Sequence, residues 1–352
     1  MCKYFLIMLA MISFFSCNNN PIVTVSPVIE NSFDTVSIYS WSYSYLPWNF
    51  SGLYIIDSTN IYLTGKQTLR YDGENFDKVN IDLEYYQSTS IGAENPNSIY
   101  LGGSVTTPGN LSKAQLVKLE NNMPIIFPPL DDSTGIINDI VIESDNTVWL
   151  NVSEKNYVYK LENGSFRKYE LYPKVRDGKF YIDEHSQLYL FKIMYGNNNV
   201  TYLYKYKLVN DKFEKIGVDS SCNDCFNLGT LYKTNDEILM GTRDFISFFN
   251  GNSWEKICNT EIGERYKVSP DLLAGISKNY FFNLTTYFMA PEGRAFMIWN
   301  ENKWNWEKNF RINTPPIQGV PIEMKADSNN VYIVVNNGLM FSTFIRGKKL
   351  IN

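Results

Sequence analysis

One phrase recurs along the chain: a polar turn rich in Asp, Asn and Ser, a short alternating strand, a gap, a second strand and another polar turn. The first copy reads Asp57-Ser58-Thr59-Asn60, then Ile61-Tyr62-Leu63, then Leu69 to Phe76. A later copy reads Glu143-Ser144-Asp145-Asn146, Val148-Trp149-Leu150, then Tyr159 to Phe166. Aligning the middle strands puts Tyr62, Tyr100, Trp149, Tyr189, Leu239, Tyr280 and Tyr332 at equivalent positions, 38 to 52 residues apart with a mean of 45. Helical solenoids share a period of that size, but these units alternate with period 2, the signature of strands. A unit of about 45 residues with four short strands is a β-propeller blade. The expected fold is all-β: a seven-bladed β-propeller of four-stranded antiparallel blades.

The ends of the chain fit a closed ring. The seventh unit supplies three strands, around Pro321 to Lys325, Val331 to Val335 and Leu339 to Phe344, and then the chain runs out. Its missing outer strand is expected from the N-terminal segment Thr35 to Trp41, so an N-terminal strand in the last blade closes the ring and leaves no open edge.

Composition agrees. Among 352 residues, 25 Tyr, 22 Phe, 7 Trp and 40 Asn favour strands and turns over helices. A hydrophobic share of 44% excludes a disordered chain, and a net charge of −5 without a long basic run excludes a nucleic-acid partner. The copy from Ile238-Leu239-Met240-Gly241-Thr242 to Trp254, and the copy from Val331 to Phe341 with Asn337-Gly338-Leu339, resemble the propeller repeats of two-component-regulator sensor domains. The resemblance spans nearly the whole propeller region. It implies the same fold and carries no activity with it, because most copies lack the Gly-Thr pair.

The N-terminus reads as an address. Lys3 precedes an apolar stretch of 12 residues, Tyr4 to Phe15, too short for a membrane span and suited to a signal-peptide core. Ser16-Cys17 at its end, followed by Asn18-Asn19-Asn20, resembles the lipobox of bacterial lipoproteins, with Phe14 where Leu is usual. That resemblance implies a signal peptide over 1–16, lipidation of Cys17, a tether over 17–33 and a propeller over 34–352. The expected location is the bacterial cell envelope, at the outer membrane, held by the N-terminal lipid. An ordinary secretory signal with an incidental Cys17 is the alternative.

In a four-stranded blade the first and third connections are tight turns on one rim. The second connection and the links between blades share the other rim, where recognition usually sits. Two aromatic stretches are expected there, Trp41, Tyr43, Tyr45 and Trp48 in one loop and Tyr85 with Tyr86 in another. They either form a platform for a glycan or protein side chain, or Trp41 and Trp48 pack the seam where the ring closes.

Groups for chemistry are sparse. His185, the single histidine, falls in a turn of the opposite rim, which excludes mechanisms needing two histidines. Cys222 and Cys225, with Cys258 nearby, are disulfide candidates rather than a zinc site. Asp131, Asp132, Asp219, Asp224 and Glu292 are the carboxylates expected on the loop rim. No catalytic residue, metal or cofactor is assigned. The leading reading is a non-catalytic envelope lipoprotein whose propeller binds a glycan or protein. The alternatives are a polysaccharide hydrolase or lyase acting at the funnel, with a pair of carboxyl groups there, and an envelope assembly scaffold.

Overall fold

The computed structural model describes residues 33–109, 111–130, 135–153, 155–171, 178–183, 185–195, 201–221, 231–234, 237–242, 245–262, 266–267, 270–286, 294–310, 319–338 and 341–350. Cys17, with its leader and tether, lies outside them, as do Cys222 and Cys225.

Among the described residues every element is a strand. β1 (Phe33–Val36) and β2 (Tyr39–Leu46) lead into the first blade, β3 (Phe50–Asp57), β4 (Asn60–Gly65), β5 (Thr68–Tyr71) and β6 (Phe76–Val79). The second blade is β7 (Tyr86–Asn95), β8 (Ser98–Thr107), β9 (Leu111–Glu120) and β10 (Met123–Ile126). The third is β11 (Ile137–Ile142), β12 (Val148–Val152), β13 (Tyr157–Glu162) and β14 (Ser165–Glu170). The fourth is β15 (Gly178–Ile182), β16 (Leu188–Tyr195), β17 (Thr201–Val209) and β18 (Lys212–Ser221). The fifth is β19 (Leu231–Lys233), β20 (Ile238–Gly241), β21 (Phe245–Phe249) and β22 (Trp254–Asn259), followed by a small ribbon of β23 (Glu261–Ile262) and β24 (Tyr266–Lys267). The sixth is β25 (Pro270–Ser277), β26 (Tyr280–Thr286), β27 (Arg294–Asn300) and β28 (Lys303–Glu307). The seventh is β29 (Val320–Ala326), β30 (Asn330–Asn336) and β31 (Ser342–Lys349), completed by β2.

The seven antiparallel sheets form a ring, as the repeat implies. First strands of neighbouring blades pack side by side, β3 on β7, β7 on β11, β11 on β15, β19 on β25, β25 on β29 and β29 back on β3. The aromatic repeat positions fill the space between sheets: Tyr62, Tyr100, Trp149, Tyr189, Leu239 and Tyr332 are each 5% exposed or less. In the sixth blade the register differs from the sequence alignment. Tyr280 pairs with Ser277 at the hairpin, as Asn60 pairs with Asp57, so Phe282 takes the place of Tyr62.

Closure uses an N-terminal strand in the last blade, with different boundaries from those expected. β2 runs antiparallel to β31 from Tyr39 opposite Lys349 to Leu46 opposite Ser342. β1 instead adds to the sixth blade as a fifth strand, parallel to β28. The break between them is fixed by Glu307, whose buried carboxylate accepts the N–H groups of Ile38 (2.8 Å) and Tyr39 (3.3 Å). The segment Trp41 to Phe50 is consequently mostly strand. Only Pro47, Trp48 and Asn49 connect it to the first blade.

Candidate binding surfaces: the connecting rim and the channel

The six aromatic residues expected to bind a partner divide into two groups. Trp41 and Tyr43 stand on β2 and pack into the closing seam. Trp41 lies edge-on to Phe296 (5.0 Å between ring centres) and Phe310 (4.7 Å), and Tyr43 is half-buried against the same core. Strand pairing sets Trp41 beside Gly347, where a Cβ would come within 2.6 Å of the indole. Tyr86 opens β7 and is buried, its hydroxyl donating to the Leu101 carbonyl at 2.8 Å.

Tyr45, Trp48 and Tyr85 face solvent, at 56%, 38% and 70% exposure. Trp48 sits in the connection from the seventh blade to the first, and Tyr85 in the connection from the first blade to the second, so both mark the connecting rim. Tyr85 adopts a left-handed backbone (φ 57°), which an aromatic residue rarely does and which is typical of functional turns. It stands at a cleft of about 850 Å3 between the first two blades, lined also by Lys66, Gln67, Asp82 and Thr106.

Two apolar residues of this rim escaped the sequence reading. Phe341 (58% exposed) ends the second connection of the seventh blade, and Val320 (62% exposed) begins that blade's first strand. Register puts Phe341 beside the end of β2, since Leu46 pairs with Ser342 and Tyr45 with Thr343, while Val320, paired with Asn336, lies three strands away at the same end of the blade. The turn is tied across the seam by the Asn49 amide donating to the Gly338 carbonyl (2.8 Å) and by the Phe50 N–H donating to Asn336 Oδ1 (3.2 Å). The expected strand Leu339 to Phe344 included Phe341, which instead precedes β31, and Val320 fell just before the strand expected around Pro321, so neither was marked as exposed.

The channel is the second surface. First strands β3, β7, β11, β15, β19 and β29 enclose a cavity of about 620 Å3. Asp139, Lys179, Lys233, Glu323 and Lys325 line it together with Tyr54 and Asn138. Lys325 pairs with Glu323 at 3.0 Å and lies over the Tyr232 ring at 5.0 Å. Both side chains keep water contact, at 26% and 24% exposure. Burial would raise the Glu323 carboxyl, but Lys325 and then Lys179 hold it below the ordinary range. Asp139 is pushed up to about 6 by burial, against the Phe180 N–H it accepts at 2.5 Å and the nearby Lys179. Burial lowers the Lys233 ammonium, partly offset by Asp139. These five residues were missed as a group. Their signal was a charge on the first strand of a blade, such as the Glu323-Met324-Lys325 alternation, which puts two charges on one face.

The carboxylates expected on the rim play other parts. Asp219 is on the outer strand β18, 3.0 Å from Lys205, and Asp131, Asp132, Asp224 and Glu292 lie outside the described residues. The His185 N–H donates to Asp183 in the tight turn of the opposite rim. Cys258 is a buried free thiol, raised by burial. Among the described residues no group of three His, Cys, Asp or Glu side chains could hold a metal ion.

No family model and no curated protein matches the sequence. The fold is similar to that of solved propellers. YCF48 bound to D1 peptide superposes with a TM-score of 0.62 at 10% identity, covering 91% of this chain and 98% of that one. Virginiamycin B lyase from Staphylococcus aureus gives 0.56 at 10% identity, covering 89% and 100%. The RRP9 WD40 repeats give 0.59 at 7% identity, covering 91% and 100%. Identities this low establish the fold alone.

Proposed function

We propose that this protein is a non-catalytic binding module of the bacterial cell envelope, anchored by a lipid on Cys17, that docks a protein partner on the connecting rim of its propeller. The observation that carries the docking reading is the exposure of Tyr45, Trp48, Val320 and Phe341, four apolar side chains at one end of the seventh blade and its link to the first. Large apolar side chains exposed together on one rim are a common mark of an interaction site. Its mix of aliphatic and aromatic side chains fits a protein better than a sugar face, and Tyr85 on the next connection extends it. One structural neighbour, YCF48, is a propeller bound to a peptide, which agrees with the reading.

Two measurements test it. Metabolic labelling with an alkyne-tagged fatty acid is expected to mark the wild-type chain and not Cys17→Ala; equal labelling rejects the anchor. Purification from its native envelope is expected to bring down one stoichiometric partner, lost with Trp48→Ala/Phe341→Ala and kept with Asn329→Ala on the opposite rim. Retention by the double variant rejects the rim as the docking face.

A second reading, a polysaccharide hydrolase or lyase working at the channel, draws on one observation: Asp139 and Glu323 share the channel with their acidities driven apart. The Lys325 ammonium 3.0 Å from Glu323 weighs against it, because a carboxylate so paired is a weak base and nucleophile. Turnover of a polysaccharide by the purified chain, abolished by Asp139→Asn, would establish this reading in place of the first.

A further inference from the structure

The cleft of about 850 Å3 between the first two blades lies one connection along the rim from the seam. Part of its wall is the link from β6 to β7, and that link is firmly tied. Val79, Ile81 and Leu83 pack on the core between the two blades, above a buried Tyr86 whose hydroxyl donates to the Leu101 carbonyl. The Leu83 N–H donates to the Ile81 carbonyl (2.9 Å), the Tyr86 N–H to the Leu83 carbonyl (3.4 Å) and the Thr106 N–H to the Tyr85 carbonyl (3.3 Å). Tyr85 is thus the third residue of a tight turn, at φ 57°, a place that glycine fills at least cost. The chain sets an aromatic ring there instead and leaves it 70% exposed, with Glu84 beside its hydroxyl. A ring held against its backbone preference, open to solvent at the edge of a cleft, points to a ligand rather than to packing.

The polar side chains around the cleft are available to that ligand. On the opposite rim the turn side chains are occupied by their own backbone: Asp57, Asp72, Asn250 and Asp327 each accept N–H groups from within their turns. Among the described residues, the side chains of Gln67, Asn80 and Gln87, which line the cleft, form no hydrogen bond within the protein. Lys66, Lys78 and Asp82 at the same cleft form no hydrogen bond or ion pair among the described residues either.

We propose that this cleft binds a short oligosaccharide, one sugar ring stacking on Tyr85 and its hydroxyls meeting the amides of Gln67, Asn80 and Gln87. An amide offers a donor and an acceptor side by side, which matches neighbouring hydroxyls on a sugar, and a phenol ring covers the apolar face of a pyranose. Lys66 and Lys78 add donors and Asp82 adds acceptors. The volume suits a small ligand. An extended peptide fits less well, because the backbone of the link is already bonded and presents no strand edge to pair with.

Isothermal titration of the purified chain with cellotriose, maltotriose, mannotriose, xylotriose and chitotriose tests the proposal. At least one is expected to bind, and Tyr85→Gly, which suits the turn, should weaken that binding at least about tenfold without lowering the melting temperature. Gln67→Ala/Asn80→Ala should also weaken it by about tenfold. Trp48→Ala/Phe341→Ala should leave it unchanged, so this site and the protein-docking seam can each fail alone. Binding of none of these trisaccharides, or binding that Tyr85→Gly and Gln67→Ala/Asn80→Ala both leave intact, overturns the proposal. A co-purifying protein lost with Tyr85→Gly, when no trisaccharide binds, assigns the cleft to that protein instead.

Discussion

At the scale of single residues, Trp41 and Trp48 show how one loop-like stretch can serve two ends. Trp41 is locked between Phe296, Phe310 and Gly347, so Trp41→Ala should cost about 3 kcal/mol in chemical denaturation, and Trp48→Ala less than about 0.5. Gly347→Ala should destabilise the seam as well, since its Cβ would displace the Trp41 indole. Tyr85 carries a left-handed backbone that glycine adopts freely; Tyr85→Gly should leave stability unchanged or raise it by up to about 1 kcal/mol. Asp139 titrates higher folded than unfolded, near 6 against an ordinary 3.8, so the native state binds the extra proton between those values. Its contribution is therefore present at pH 4 and is lost as pH rises through 6, and Asp139→Asn should abolish that part of the melting-temperature profile. The alternation of Trp41, Tyr43 and Tyr45 within a run of serines was visible in the sequence. Which of these three rings, all on one face of β2, the neighbouring core covers was not, because that depends on how far Phe296 and Phe310 reach along the strand.

At the scale of elements, the blades share a device that the repeat phrase only half reveals. An acid in the first turn meets the aromatic of the second strand, and a cation of the third strand lies over the same ring. Glu94 accepts from Tyr100 under Lys118, and Glu143 accepts from Trp149 under Lys160. Asp327 accepts from Tyr332 under Arg346. The turn acid and the aromatic were legible as parts of one phrase. Their pairing was not, because it needs the hairpin to bring residues five or six apart into contact. The bend between β1 and β2 was equally hidden, since Glu307 reads as an ordinary surface charge until β28 delivers it to Ile38 and Tyr39. Glu307→Ala leaves both N–H groups without a partner in the buried seam and should cost about 2–3 kcal/mol in urea unfolding, with Glu307→Gln intermediate. A cost below about 0.5 kcal/mol would show that the clasp contributes nothing.

At the scale of the whole molecule, period and blade number came directly from the sequence because each unit repeats the same turn and strand chemistry. The functional surfaces came through less clearly because they depart from the repeat. Tyr45 and Val320 stand at strand ends and Trp48 and Phe341 in the connections beside them, while the channel charges sit on four different first strands. Closure explains the placement of the first group: joining the two ends of the chain in one blade puts an irregular seam on the rim, where apolar side chains need not match a repeat. The seam is the proposed docking face. A photo-reactive residue placed at Trp48 or at Phe341 in living cells tests it most directly. Both positions should capture the same partner, while Asn329 and Lys348 on the opposite rim capture none. Capture only from Asn329 or Lys348, or from no position on the seam, would contradict it.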